Sequence, residues 1–230
     1  MKIFITGTNT DIGKTYITIH LYHLLKAEGY NVCIFKPLQT EELEDGTYPD
    51  LETYKRECHL AYQVTSLYKF KDPISPHLAF KRETDQQFDK TKILSKLNIL
   101  EQQFDVILIE GAGGIAVPIH ENENCFYMTG DLIRDTADMI LSILPSQLGA
   151  ISDAMVHQHF INHMHLPPNI LIMNQYTNSS VEQDNKHTIE KLTQKDVYTF
   201  SKNANYNDFS KTFITTLKGA INHEEPRFSK

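Results

Sequence analysis

The chain has few cysteines, no long apolar run and no excess of positive charge, and each shortage closes off a class of protein. Its three cysteines, Cys33, Cys58 and Cys125, are odd in number, far apart and never in a CxxC pair, which argues against a disulfide framework or a zinc knuckle. Reduced thiols in a cytoplasmic protein are the simplest expectation. No stretch approaches the roughly 18 apolar residues of a membrane span, and the first residues run straight into a strand pattern without a charged and apolar leader. A soluble, unprocessed protein is expected. The net charge of -7 and pI near 5.9 offer no basic field to gather nucleic acid or anionic lipid.

What is present is enough chain for a sizeable core: 230 residues and 26.5 kDa suggest a single domain over 1–230. Strand-length apolar runs recur at Lys2–Thr6, Asn31–Lys36, Asp105–Ile109, Met139–Leu144 and Ile170–Met173, with a weak one at Val197–Phe200. Their apolar character is continuous, not alternating, as in strands covered on both faces of a mostly parallel sheet. Between the first two, Ile17, Leu21, Leu24 and Leu25 form one helical stripe, and Gly29 stands where a helix C-terminal glycine would end it. The expected fold is α/β, a doubly wound three-layer sandwich. Residues 38–49, "LQTEELEDGTYP", read as an acidic loop over the sheet edge. Residues 175–188, "QYTNSSVEQDNKHT", read as a mobile polar segment.

The first strand runs into "GTNTDIGKT" and then the helix. That order builds a phosphate-binding P-loop, in which Gly13 lets the backbone approach phosphate, Lys14 meets the β/γ-phosphates and the Thr15 hydroxyl faces Mg²⁺. The usual spelling GxxxxGK[ST] wants glycine at position 8, where this chain has Thr8. A variant P-loop is therefore expected. Ligands of a parallel sheet collect at the carboxyl ends of its strands, which draws in Lys36 of "FKPLQT", with Pro37 expected to stop its strand. Glu110 of "IEGAGG" ends a buried strand beside Gly111, Ala112, Gly113 and Gly114, a position suited to a metal-nucleotide carboxylate. Asp50 by itself reads as a helix N-cap.

These motifs resemble the dethiobiotin synthetases, whose phosphate turn reads GTxTxxGKT and whose second strand ends in KP with Ser or Thr three residues on. The resemblance spans residues 3–174. It implies ATP and Mg²⁺, nucleotide contacts from Asp11, Ile12, Gly13, Lys14, Thr15, Tyr16, Asp50, Glu110, Gly111, Ala112 and Gly113, and an adenine-reading pair at Asn174 and Gln175. It further implies Thr15, Asp50 and Glu110 as metal ligands and Lys14 and Lys36 as catalytic residues. Thr10, Lys36, Thr40, Gly113, Leu148 and Gly149 are the implied substrate contacts, in a homodimer with sites at the interface. The small-molecule substrates would be diaminopelargonic acid and CO₂, with no nucleic acid or membrane partner. The chain departs from the family at Ser152 and Asp153, where Asn and His are usual, and at Gln175, where aspartate is usual. A GxIP turn followed by glutamate is not recognisable in "VYTFSKNANYNDF".

Two competing readings remain. A nucleotide-switch ATPase of the septum-placement or chromosome-partitioning type would carry a second lysine early in the P-loop and a basic surface or C-terminal membrane helix. Gly7 to Ile12 contains no lysine, and the chain closes on "NHEEPRFSK". The other alternative is a related P-loop kinase or amidoligase. The histidines of "MVHQHFINHMHL" place His159 and His163 at i, i+4, a zinc-clamp spacing, but no acidic third ligand accompanies them, so solvent-facing or satisfied histidines are expected.

Overall fold

The computed structural model of the protein describes residues 1–123 and 125–222; residues 223–230 of the polar ending lie outside them. In chain order the first half is β1 (Lys2–Gly7), α1 (Lys14–Ala27), β2 (Val32–Gln39), α2 (Pro49–Cys58), α3 (Tyr62–Thr65), β3 (Ser66–Lys69), α4 (Pro76–Arg82), α5 (Lys90–Glu101) and β4 (Val106–Glu110). The second is β5 (Pro118–Glu121), β6 (Phe126–Met128), α6 (Thr129–Thr136), β7 (Met139–Leu144), α7 (Ala150–His163), β8 (Asn169–Tyr176), α8 (Ser180–Thr193), β9 (Val197–Ser201) and α9 (Lys211–Asn222). Among the described residues, seven strands form one parallel sheet in the order β3-β2-β4-β1-β7-β8-β9, and β5 and β6 form a separate hairpin. No described helix is long and apolar enough to cross a membrane.

The layers follow from strand alternation. Ile3 and Ile5 of β1 pack with Ile17, Leu21, Leu24 and Leu25 of α1 on one face, while Phe4 packs with Ile93, Leu97 and Ile133 on the other. Each such buried side chain contributes about 1.5–3 kcal/mol. Helix α1 ends as its glycine suggests: Gly29 sits at φ +92°, its N–H bonds the Lys26 carbonyl at 3.1 Å, and the Tyr30 N–H bonds the Leu25 carbonyl at 3.0 Å. This pair of bonds is a Schellman stop.

Four expectations need correction. Pro37 does not end its strand, because β2 continues to Gln39. Pairing with β4 stops at Phe35, and from Lys36 onward β2 pairs with β3 on its other side, so the missing proline N–H falls where one side of the ladder is already open. Residues 175–188 are not a mobile segment. Gln175 lies at φ +57° where the β8–β9 register shifts, and α8 follows under a capping box in which Ser179 and Glu182 satisfy each other's backbone N–H. Asp50 is not an N-cap: Tyr48 holds that position and Pro49 opens the helix, leaving the Asp50 carboxylate free to face the sheet. Of the expected loop 38–49, Leu38 and Gln39 belong to β2 and Pro49 to α2. Strand β3 and the β5–β6 hairpin carried no signal in the pattern above.

From β1 the chain crosses to β2 and β3 on one side, returns to β4, and then passes over to β7, β8 and β9 on the other. The carboxyl ends of β1, β2 and β4 therefore lie side by side where the winding reverses, which is where open α/β sheets bind ligands.

Candidate active site

The turn between β1 and α1 is built around backbone that side chains would obstruct. A Cβ on Gly7 would lie 2.7 Å from Ile12 Cγ2 and 3.1 Å from the Ile143 carbonyl oxygen. Gly13 caps α1 at φ +91°, and a Cβ there would lie 2.1 Å from Asn174 Nδ2. The glycine turn after β4 presses on this loop: the Ile115 N–H bonds the Gly7 carbonyl at 3.2 Å, and a Cβ on Gly114 would come within 3.2 Å of the Thr8 carbonyl. Glycine is thus placed at 7 and 13, and Thr8 is tolerated between them, its backbone N–H on the Ile143 carbonyl at 3.3 Å.

Below the turn, four elements deliver side chains to one point. Glu110 at the end of β4 is fully buried and accepts four hydrogen bonds: at Oε1 from Thr15 Oγ1 and Lys36 Nζ, both 2.9 Å, and at Oε2 from Thr18 Oγ1 at 2.8 Å and the Tyr54 hydroxyl. Asp50 Oδ1, also 2.9 Å from Thr15 Oγ1, is the alternative acceptor for that hydroxyl's single hydrogen, and Oδ2 accepts from Lys36 Nζ. Burial opposes the Lys36 charge, yet the two carboxylates win and raise its pKa. Burial likewise opposes ionisation of Asp50, but the Lys36 charge and the bonds from Lys36 and Thr15 hold its carboxyl below the usual range. Lys14 is buried and donates to the Asn9 carbonyl at 2.9 Å. Loss of water lowers its pKa; Glu110 and Asp50 partly oppose this and the Lys36 charge adds to it. The Tyr54 hydroxyl is driven well above its ordinary value by burial and by the charge of Glu110.

Lys14, Thr15, Lys36, Asp50 and Glu110 line a cleft of about 460 Å³ open to solvent. From the phosphate turn it takes Thr10, Asp11, Gly13, Lys14, Thr15 and Tyr16, and from β2 and beyond Lys36, Thr40 and Asp50. Glu110, Ala112 and Gly113 close the floor. The remaining residues singled out by sequence lie elsewhere. Ile12 points its carbonyl at Asn174 Nδ2, 2.9 Å away. Gly111 is a packing glycine, since a Cβ there would meet the Phe4 ring at 2.9 Å. Asn174 is buried just behind Gly13 with its Oδ1 unpartnered, whereas the Gln175 side chain is exposed. Leu148, 95% exposed, and Gly149, which caps α7 at φ +98°, lie outside the cleft.

Three participants went unnoticed in the sequence. Thr18 is one turn along α1 from Thr15 and Lys14, and Tyr54 is one turn along α2 from Asp50, so i, i+4 spacing from an identified residue would have found both. The third is the C-terminal segment, where the Tyr16 hydroxyl donates to the Ala204 carbonyl and brings residues near 204 against α1. Among the histidines, His157 is buried with Nε2 2.9 Å from Ser142 Oγ, and the exposed His159 and His163 rings stack 6.2 Å apart. No group of three His, Cys, Asp or Glu among the described residues is arranged to hold a metal.

A family model described as an AAA domain matches residues 1–207. The ATP-dependent dethiobiotin synthetase BioD of Staphylococcus epidermidis is 63% identical over 222 residues, 96% of this chain and 100% of that protein. The protein of the same description from Geobacillus sp. strain WCH70 is 39% identical over 192 residues, 83% of this chain and 80% of its own. Among solved structures, a plasmid partition protein from Borrelia burgdorferi bound to AMPPNP superimposes with a TM-score of 0.56 at 14% identity, covering 96% of each chain. The MinC:MinD cell division complex of Aquifex aeolicus gives 0.53 at 14%, covering 95% of this chain and 85% of the other. At such identity these two likenesses concern the fold alone.

Proposed function

The chain belongs to the ATP-dependent dethiobiotin synthetases, and we infer that the cleft between the phosphate turn and Lys36 is where it closes the ring of dethiobiotin. The substrates of that reaction are diaminopelargonic acid, CO₂ and ATP. One amine of the vicinal pair captures CO₂ as a carbamate, whose oxygen is too poor a leaving group for the second amine to displace. Transfer of the ATP γ-phosphoryl group to that oxygen makes phosphate the leaving group. The neighbouring amine, already tethered, then closes the cyclic urea in a step favoured by proximity, and ADP, phosphate and protons leave.

The observation that carries this reading is the meeting of Lys14, Lys36, Thr15, Asp50 and Glu110 in one cleft at adjoining strand ends. On this reading Asp11 to Tyr16, with Ala112 and Gly113, receives the nucleotide phosphates on backbone N–H groups at the start of α1. Lys14 offsets charge on the transferring phosphoryl group. Lys36 binds the carbamate anion beside the hydroxyls of Thr10 and Thr40. Thr15, Asp50 and Glu110 suit Mg²⁺: they are hard oxygen donors, their oxygens lie within hydrogen-bond distance of one another through Thr15, and an ammonium, that of Lys36, already sits on both carboxylates. Those three residues would hold the ion, which when bound neutralises charge on the nucleotide phosphates. Leu148 and Gly149 serve the site of a second copy in a homodimer, a reading supported by their exposure and by their absence from the lining of their own chain's cleft. A cytoplasmic setting accords with three unpaired cysteines.

The test is ATP- and Mg²⁺-dependent fixation of labelled bicarbonate with diaminopelargonate as acceptor. ADP should be released quickly only when diamine and bicarbonate are both present. Equal ATP turnover with and without the diamine would identify a switch ATPase instead.

A further inference from the structure

We propose that Glu41 is the carboxylate that receives an ammonium group of the diamine at the mouth of the cleft, a proposal that rests on the reading of the site just given. Glu41 lines the cleft next to Thr40, on the β2 side where Lys36 stands. Its backbone lies at φ +75°, a left-handed conformation that a non-glycine residue adopts at a cost of about 1 kcal/mol or more. The conformation is held from outside: the Glu41 N–H bonds the Asp72 carbonyl at 3.1 Å and the Glu42 N–H bonds the Lys71 carbonyl at 2.8 Å. A glycine would satisfy this turn without strain, so the turn geometry gives no reason for a glutamate.

The charge does. The carboxylates of Asp50 and Glu110 are consumed by Lys36, Thr15, Thr18 and Tyr54, whereas the exposed Glu41 side chain has no partner among the described residues. The other open carboxylate of the cleft, Asp11, belongs to the phosphate turn and acts on Lys14. A vicinal diamine arrives carrying positive charge, and the cleft it enters already holds the ammonium groups of Lys14 and Lys36. Glu41 supplies an anion on the substrate side of that field, so that the diamine is drawn in despite the two lysines.

The experiment compares wild type with Glu41→Gln, which keeps the shape and removes the charge, and Glu41→Gly, which also relieves the backbone. Steady-state kinetics with diaminopelargonate, calorimetric titration of the diamine alone, calorimetric titration of Mg²⁺-ATP and thermal melts are recorded for each. An exposed ion pair of this kind is worth about a 1.5- to fivefold rise in the KM and Kd for the diamine in both variants, with a smaller change in kcat and none in nucleotide affinity. Raising ionic strength should weaken diamine binding by the wild type and narrow the gap. Glu41→Gly should melt no lower than wild type, which separates the binding defect from any loss of fold. Unchanged diamine KM and Kd in both variants overturns the proposal while leaving the dethiobiotin reading in place. A wild-type protein that neither binds nor turns over the diamine overturns both.

Discussion

The ammonium of Lys36 lies 2.9 Å from the same Glu110 oxygen, Oε1, that accepts from Thr15 Oγ1 at 2.9 Å. The lysine proposed to bind the carbamate thus rests on two of the three residues proposed to hold the metal, and its charge compensates that of the buried Glu110. Removing one member of such a pair leaves an uncompensated buried charge, at about 3–5 kcal/mol. Lys36→Met should therefore melt well below wild type, and millimolar Mg²⁺ should restore more of the loss than it adds to the wild type, because a cation bound to the native state stabilises it. Equal Mg²⁺ shifts in the two melts would mean that Lys36 does not occupy the cation's place.

The two lysines should separate by assay. Lys14→Ala removes a charge-assisted contact to phosphate, worth roughly 1.5–3 kcal/mol, and should weaken Mg²⁺-ATP binding in calorimetry as well as turnover. Lys36→Ala should lower turnover while changing nucleotide affinity by no more than a few-fold. If Lys36→Ala abolished nucleotide binding but spared carbamate capture, the roles would have to be exchanged.

Two glycines at nearly the same φ make a controlled pair. Gly13 and Gly29 lie at +91° and +92°, but a Cβ at Gly13 would strike Asn174 whereas nothing lies within 4 Å at Gly29. Gly29→Ala should cost about 1 kcal/mol of stability and leave nucleotide binding alone. Gly13→Ala should cost more and lose nucleotide binding, since it must displace Asn174 and distort the phosphate turn. Retained ATP affinity in Gly13→Ala would remove the turn from the site.

His157 makes stability depend on pH. Burial lowers its pKa to about 4 from an ordinary 6.5, so between those values the unfolded chain binds a proton that the native state refuses. The contribution is fully present above pH 6.5 and is lost as pH falls toward 4. Denaturant unfolding at pH 7.5 and 4.5 should show wild type losing about 2–3 kcal/mol more than His157→Asn. Parallel losses in the two proteins would show that His157 is protonated in the native state too.

Base selection should be modest and one-sided. Asn174 gives one Nδ2 hydrogen to the Ile12 carbonyl and keeps a buried, open Oδ1, an acceptor suited to an exocyclic amine. Adenine and cytosine both offer one, and guanine presents a carbonyl there. One or two bonds of about 1 kcal/mol should leave ATP favoured over CTP by no more than about tenfold, and over GTP by somewhat more, within about a hundredfold. A kcat/KM ratio for ATP over CTP far above that range would place further base contacts in the segment around Ala204.

The phosphate turn and Glu110 were legible because their signals are local, whereas the role of Lys36 rested on the family resemblance of its KP and the threonine three residues on. Glycine, lysine and threonine at a strand-to-helix junction specify a backbone path and a ligand type within nine residues, and a carboxylate ending a continuous apolar strand specifies where it must emerge. The signal for helix α8 is equally local, since the Ser179 to Glu182 capping box stands in "NSSVEQD", but the polar composition of the segment points to loop. Strand β3 and the β5–β6 hairpin are four, four and three residues long, too short for periodicity to separate from loop.

By itself the sequence determined the alternation of apolar strands and amphipathic helices, hence a covered parallel sheet, and the turn on which a nucleotide can sit. Only the tertiary structure decided what Asp50, Thr18, Tyr54 and Glu41 do, because each takes its role from a partner or a cleft that the fold brings up from distant chain. Asp50 shows the reason most simply. Its place near the start of a helix suggested a cap, a contact available within one turn, but the sheet order sets it beside Lys36 and Thr15, 14 and 35 residues away, where a charged partner outweighs a backbone N–H.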